Sequence, residues 1–152
     1  MRFRLRDFES DDFHTLHALD QACFPPGISY SRRELAFYLS ARGVFTTVAE
    51  TESKQPQIAG FIVAQKRPSG IGHVVTIDTD EKYRRHGLGS LLMKSVEDRL
   101  RDAGCHGMVL ETAVDNAAAI AFYKRLDYSI LKTIPHYYQG RLDAYVMIKQ
   151  LK

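Results

Sequence analysis

Apolar and polar residues alternate at the start of the chain, Arg2-Phe3-Arg4-Leu5-Arg6, which is the pattern of a strand with one wet face. Phe13, Leu16, Leu19 and Cys23 then recur at helical spacing and stop at Pro25-Pro26-Gly27. Ser31-Arg32-Arg33-Glu34 has the form of a capping box, followed by Leu35, Tyr38 and Leu39 on one face and Gly43 as the stop. Residues 44–49 and 58–65 read as two strands of a hairpin joined by a polar loop at 51–57. A strand at 73–79 leads into the turn Arg84-Arg85-His86-Gly87-Leu88-Gly89, and Leu92, Val96 and Leu100 make one stripe of a long helix that Gly104 ends. After a short apolar strand at 107–112, Asn116 caps a helix over 117–126. Strands near 128–134, ended by Pro135, and at 143–150 close the chain. Strand–helix–strand crossovers occur only in the second half. The order predicts an α/β fold, in the mixed α+β sense, with helices on both faces of one sheet and neither linker nor repeat.

Composition narrows the class. The 152 residues suit one domain, 1–152, and 45% apolar with 26% charged residues is an ordinary globular balance. No apolar run approaches the ~18–20 residues that cross a bilayer, so no membrane association is expected. The charged start predicts no signal peptide. Two cysteines, Cys23 and Cys105, are too few for a stapled secreted framework, which makes a reduced, cytoplasmic setting the expectation. The net charge of +3 is the small difference between 21 basic and 18 acidic residues and implies no dedicated nucleic-acid binding. His14 and His17 share a helix face without a third ligand at useful spacing, so no metal site is expected. Cys105 reads as a small buried filler.

Candidate chemistry begins at the turn from Arg84 to Ser90, where a buried strand hands over to a helix. The first N–H groups of a helix lack intrahelical partners and carry partial positive charge. Gly87 and Gly89 clear space above them, and Arg84, Arg85 and His86 add charge, so a pyrophosphate is the natural ligand. The turn is neither a P-loop, since no Gly-Lys-Ser/Thr follows, nor a dinucleotide fingerprint, since the third glycine is missing. A solvated basic turn is the alternative.

Arg84-x-x-Gly87-x-Gly89 after a strand resembles the signature of the GNAT acyl-CoA-dependent N-acetyltransferases, and the element order resembles that family over essentially the whole chain. The second half is similar to the N-terminal acetyltransferases of the ribosomal-protein-alanine (RimI) type, through Leu110-Glu111-Thr112, Asp115-Asn116-Ala117-Ala118-Ala119-Ile120-Ala121-Phe122-Tyr123, Tyr137-Tyr138 and Asp143-Ala144-Tyr145. Ala22-Cys23-Phe24-Pro25 is similar to the segment that helps form the substrate cleft there. The resemblance implies a GNAT fold, with a mostly antiparallel sheet of about seven strands splayed at the cofactor site. It implies acetyl-CoA as cofactor and CoA as product, with the pyrophosphate on the backbone of Arg85, His86, Gly87, Leu88, Gly89 and Ser90. The pantetheine arm would lie along Ile77, Asp78 and Thr79, with Asn116 near it. Glu111 falls on the family's general base and Tyr123 on its general acid. The acceptor implied is a protein or peptide N-terminus, ribosomal proteins included, and the enzyme would work as a monomer or a homodimer. A small amine or a lysine side chain is the alternative acceptor, with Asp78 as a further carboxylate in the cleft, and a catalytically silent acyl-CoA-binding module is the alternative function. Departures from the pattern are Asp78 and Glu81 at the strand end and Asp127 in place of a glycine after the tyrosine helix.

Acyl transfer to an amine needs a neutral amine, a stabilised oxyanion and a proton for the departing thiolate. Deprotonating an α-amine at pH 7 costs about 1–1.4 kcal/mol against about 4.6 kcal/mol for a lysine. A carboxylate such as Glu111 is base enough for the former, and the Tyr123 phenol stays protonated as a donor. The oxyanion could be held by the backbone N–H near Thr79. In isolation Glu111 reads equally as a salt-bridged strand end and Tyr123 as a core aromatic. Tyr137 and Tyr138, placed in the loop before the last strand, read as a wall over the acceptor or as a packing pair.

Overall fold

The computed structural model describes residues 1–151, and within them seven strands form one sheet in the order β1-β2-β3-β4-β5-β7-β6. The strands are β1 (Phe3–Asp7), β2 (Val44–Thr51), β3 (Ile58–Lys66), β4 (Ile71–Thr79), β5 (Gly107–Ala113), β6 (Ser129–Tyr138) and β7 (Leu142–Gln150). The helices are α1 (Phe13–Cys23), α2 (Arg32–Ser40), α3 (Leu88–Asp102) and α4 (Ala117–Arg125), with short 3-10 turns at Ser10–Asp12 and Glu81–Tyr83. All neighbouring strands run antiparallel except β4 and β5, which α3 connects as a parallel crossover.

Period-two alternation along β2 and β3 sends residues to two separate cores. Val48, Phe61 and Val63 meet Leu16, Leu19 and Leu35 from α1 and α2. Ala49, Ile62 and Ala64 meet Leu88, Leu92, Val96 and Leu100 of α3, with Tyr123 of α4 and Tyr128. Helices therefore cover both faces, as the sequence pattern predicts. Ser31 caps α2 as expected: its hydroxyl accepts from Glu34 N at 3.1 Å, while Glu34 accepts from Ser31 N at 3.0 Å.

One boundary differs from expectation. Pro135 does not end the sixth strand, which runs on to Tyr138. β6 lies at the sheet edge, where a missing N–H costs no ladder bond. Pairing with β7 lapses after Ile134 and resumes at Tyr138↔Leu142, so Tyr137 and Tyr138 belong to a strand end and not to a loop. No helix among the described residues is long and apolar enough to cross a membrane.

Candidate active site

β4 and β5 pair at only three positions, Ile71↔Gly107, Gly72↔Met108 and His73↔Val109. Past His73 the two strands part. A bulge helps: Val63 and Ala64 of β3 are consecutive but face Thr76 and Val74, so Val75 is an extra residue that bends β4. The gap opens into a cavity of about 840 Å³, which is ample for a cofactor arm plus an acceptor.

At one end of the cavity lies the N-terminus of α3. Gly87 is its N-cap, at φ 75°, and no side chain caps the first turn. A Cβ on Gly87 would meet nothing within 4 Å, so the space in front of these N–H groups is open. Arg85 is also left-handed at φ 69°, the conformation that curls successive N–H groups toward one point. Gly89 is different. A Cβ there would stand 3.0 Å from the Phe122 ring of α4, so this glycine serves the close approach of two helices and not the clearing of an anion site. Arg85, Leu88, Gly89 and Ser90 line the cavity, and His86 does not. An uncapped helix start at the end of a large cavity fits a pyrophosphate, and hence the family's cofactor.

Arg84 departs from its expected place. Its Nη2 and Nε reach the Thr79 carbonyl at 3.1 and 3.3 Å, so the guanidinium folds back on the end of β4. Cys23 donates its thiol to the same carbonyl at 3.3 Å, which leaves that oxygen already occupied. Burial, with the charge of Asp78, pushes the Cys23 thiol up to about 11. Ile77 and Thr79 line the cavity, and Asp78 does not. Its carboxyl lies on the α1 side of the sheet, because Asp78 pairs with Phe61 of that core. Its carbonyl turns toward β3, 2.7 Å from where a Gly60 Cβ would be. Neither end of Asp78 therefore faces a pantetheine arm or an acceptor amine in the gap.

Glu111 sits on β5 two residues past the last β4 pair, and its Oε1 is 2.7 Å from His73 Nε2. Burial, the Glu111 charge and a hydrogen bond to Glu111 raise the pKa of Tyr137, so its phenol stays protonated beside that carboxylate. Tyr137 itself is off the cavity wall, while Tyr138 and Phe24 line it. Tyr123 is nearly buried at the back of the cavity, 8% exposed, and its hydroxyl bonds to no described residue. Burial first, then the charges of Asp78 and Tyr138, raise the pKa of that phenol. Asn116 caps α4 as expected, its Oδ1 accepting from Ala119 N at 3.1 Å, so its amide NH2 is what remains for the cavity.

A family model described as the acetyltransferase (GNAT) family matches residues 13–128. The chain belongs to that family. It is 30% identical to an uncharacterised N-acetyltransferase of Methanocaldococcus jannaschii, over 96% of this chain and 90% of that protein. It is also 30% identical to an N-alpha-acetyltransferase of Saccharolobus solfataricus, over 98% of this chain and 93% of the other. Among solved structures, the ribosomal-protein-S18-alanine N-acetyltransferase of Escherichia coli superposes with a TM-score of 0.86 at 24% identity, covering 99% and 95% of the two chains. The splayed β4–β5 pair and the α3 turn are thus features of a GNAT fold.

Of the residues singled out from the sequence, Glu111, Tyr123 and Asn116 share the cavity with the α3 turn, Phe24 and Tyr138. Asp78, His86 and Tyr137 lie outside its walls. His73 was not singled out. Its signal is legible in retrospect, as one of two titratable residues, with Asp78, in the strand run that leads to the glycine turn. What makes it matter, the fork beside Glu111, is a tertiary fact.

Proposed function

We propose that this GNAT domain, residues 1–152, transfers acetyl from acetyl-CoA to the α-amine of a protein or peptide N-terminus, with both substrates bound together. The observation that carries the reading is one cavity holding a carboxylate steadied by a histidine, a buried phenol and an uncapped helix start. When bound, acetyl-CoA supplies the activated acetyl thioester. Backbone N–H groups from Arg85 to Ser90 hold its pyrophosphate, and Ile77 and Thr79 flank its arm. Glu111 takes a proton from the incoming ammonium, directly or through water, while His73 fixes the carboxylate's orientation. Tyr123 donates its phenolic proton to the departing thiolate. Phe24 and Tyr138 wall the acceptor side, and the Arg84 contact to Thr79 stiffens the strand end.

The α-amine is favoured over a lysine because the extra carboxylate that the harder deprotonation calls for, Asp78, is turned out of the cavity. Two free cysteines support the cytoplasm as its setting. The test is CoA-thiol release against peptides of varied first residue, including the N-terminus of a ribosomal protein, with α-blocked lysine peptides and polyamines alongside. Turnover with free but not blocked α-amines is expected. Turnover confined to lysines or polyamines would overturn the acceptor, and CoA binding without turnover on any amine would overturn catalysis.

A further inference from the structure

Two carboxyls with no cation among the described residues to balance them are buried on the far side of β4. Asp20 of α1 is 0% exposed and Asp78 of β4 is 1% exposed. One oxygen of each is committed: Asp20 Oδ2 accepts from Tyr30 N at 2.7 Å, and Asp78 Oδ1 accepts from the Thr76 hydroxyl at 2.6 Å. The other two, Asp20 Oδ1 and Asp78 Oδ2, have no donor among the described residues. The two side chains meet where α1 packs on β4, with no donor from the described residues between them. A carboxylate has no hydrogen to give, so such a contact is a bond only if a proton lies in it.

The surroundings supply no substitute. From α1 comes the Cys23 thiol, given to Thr79; from the loop after α1 comes Tyr30, its ring tilted against Tyr38 of α2; from α4 comes Tyr123; and Arg84 points to Thr79 and Cys23. No Lys, Arg or His among the described residues bonds to either carboxyl. Two adjacent anions out of contact with water are not tolerated, and one of them stays protonated. Burial, then Asp20, holds Asp78 well above the usual carboxylate range.

The pair has a mechanical consequence. Asp20 holds the Tyr30 backbone, and the Tyr30 hydroxyl reaches the Val75 carbonyl at the β4 bulge, 3.4 Å away. Phe24, Ile28 and Tyr30 on this loop line the acceptor side of the cavity. We propose that Asp20 and Asp78 share one proton and act as positioning residues, a clasp that keeps the loop 24–30 seated on β4 and the acceptor wall in place. The acceptor part rests on the acetyl-transfer reading above; the shared proton does not. In sign, the folded chain keeps a proton that the unfolded chain releases near pH ~4, so the clasp is intact at low pH and weakens as pH rises through its folded pKa.

Three measurements on the whole protein test this. Infrared spectra of the wild type at neutral pH should contain a carboxylic-acid carbonyl band that Asp78→Asn and Asp20→Asn both abolish, because an amide then supplies the hydrogen. Amide exchange at Tyr30, taken relative to Asp78→Asn at each pH, should accelerate as the pair ionises. The peptide KM of the wild type, relative to the same variant, should climb by up to about tenfold per pH unit above that point, with no matching climb in the acetyl-CoA KM. A missing infrared band, or exchange and peptide KM that run parallel in wild type and Asp78→Asn, would overturn the proposal. Should no peptide turn over at all, the acetyl-transfer reading fails, and the band and the exchange still decide the shared proton.

Discussion

His73 Nε2 and Glu111 Oε1 face each other at 2.7 Å across the fork where β4 and β5 part. His73 is the last β4 residue paired with β5, opposite Val109, and Glu111 lies two residues further along β5, where the strands have parted. Here the histidine holds Glu111 Oε1, and the Tyr137 phenol is a second neighbour of the same carboxylate. Glu111→Gln is expected to lower kcat/KM by about 10²–10³. His73→Ala is expected to lower it less, and the double variant to be no worse than Glu111→Gln alone, because one residue works through the other. Full additivity in that cycle would mean that the two act separately.

Tyr123 gives a different signature. Its removal as Tyr123→Phe should cut kcat about 10²-fold with little change in the acetyl-CoA KM, since the lost group acts on the leaving sulfur. Its raised pKa also has a stability sign. A phenol whose folded pKa exceeds the unfolded ~10 lends stability that is complete below pH ~10 and is lost as pH rises through the folded value. Tyr30, Tyr128 and Tyr138 are raised in the same direction, each chiefly by burial. Tyrosinate absorbance from these four should therefore appear together with loss of circular dichroism at alkaline pH, and not ahead of it.

The two glycines of the turn should separate on mutation. Gly89→Ala drives a methyl into Phe122 and is expected to cost about 1–3 kcal/mol of stability, recovered in part by Phe122→Leu. Gly87→Ala meets open space but keeps a left-handed φ, so it should cost only about 1 kcal/mol. Its larger effect should be on acetyl-CoA affinity, through the methyl now standing before the helix start. Thermal melts with and without CoA distinguish the two.

The parts of this architecture written in local periodicity were legible in the sequence. Leu92, Val96 and Leu100 mark α3, Ser31 and Glu34 mark the start of α2, and Asn116 marks that of α4, because each signal is complete within a few residues. The anion-binding character of the turn is legible in its own residues, whereas the roles expected of Glu111 and Tyr123 rest on the family resemblance. What escaped depends on partners distant in sequence. Asp78 points away from the cavity because a bulge at Val75 sets the alternation of β4, and no spacing rule announces a bulge. Arg84 reads as a free charge in the sequence, but it folds onto the end of β4 beside Cys23 of α1, a residue far from it in the chain. Pro135 looked like a strand end because edge position, which makes it harmless, is a property of the sheet and not of the segment.

Asp127, the departure at the end of α4, carries the last prediction. It lies at φ 72° and closes the helix through paired bonds, Asp127 N to Lys124 O and Tyr128 N to Tyr123 O, both at 3.0 Å. This is the Schellman arrangement, and the Tyr128 ring packs edge-on against Tyr123 at 6.0 Å, so the same turn that stops the helix also seats the catalytic candidate. An aspartate tolerates the left-handed region better than most residues but still less well than glycine. Asp127→Gly should raise stability by about 0.5–1 kcal/mol, or about 1–4 °C in Tm, without changing kcat. Asp127→Val has a branched Cβ that the left-handed backbone cannot accommodate, and it should cost more than about 1 kcal/mol. Because the strain is relieved by unwinding the turn that holds Tyr123, Asp127→Val should lower kcat as well. If its kcat matched that of the wild type at a temperature where it is fully folded, the turn would be a helix stop and nothing more.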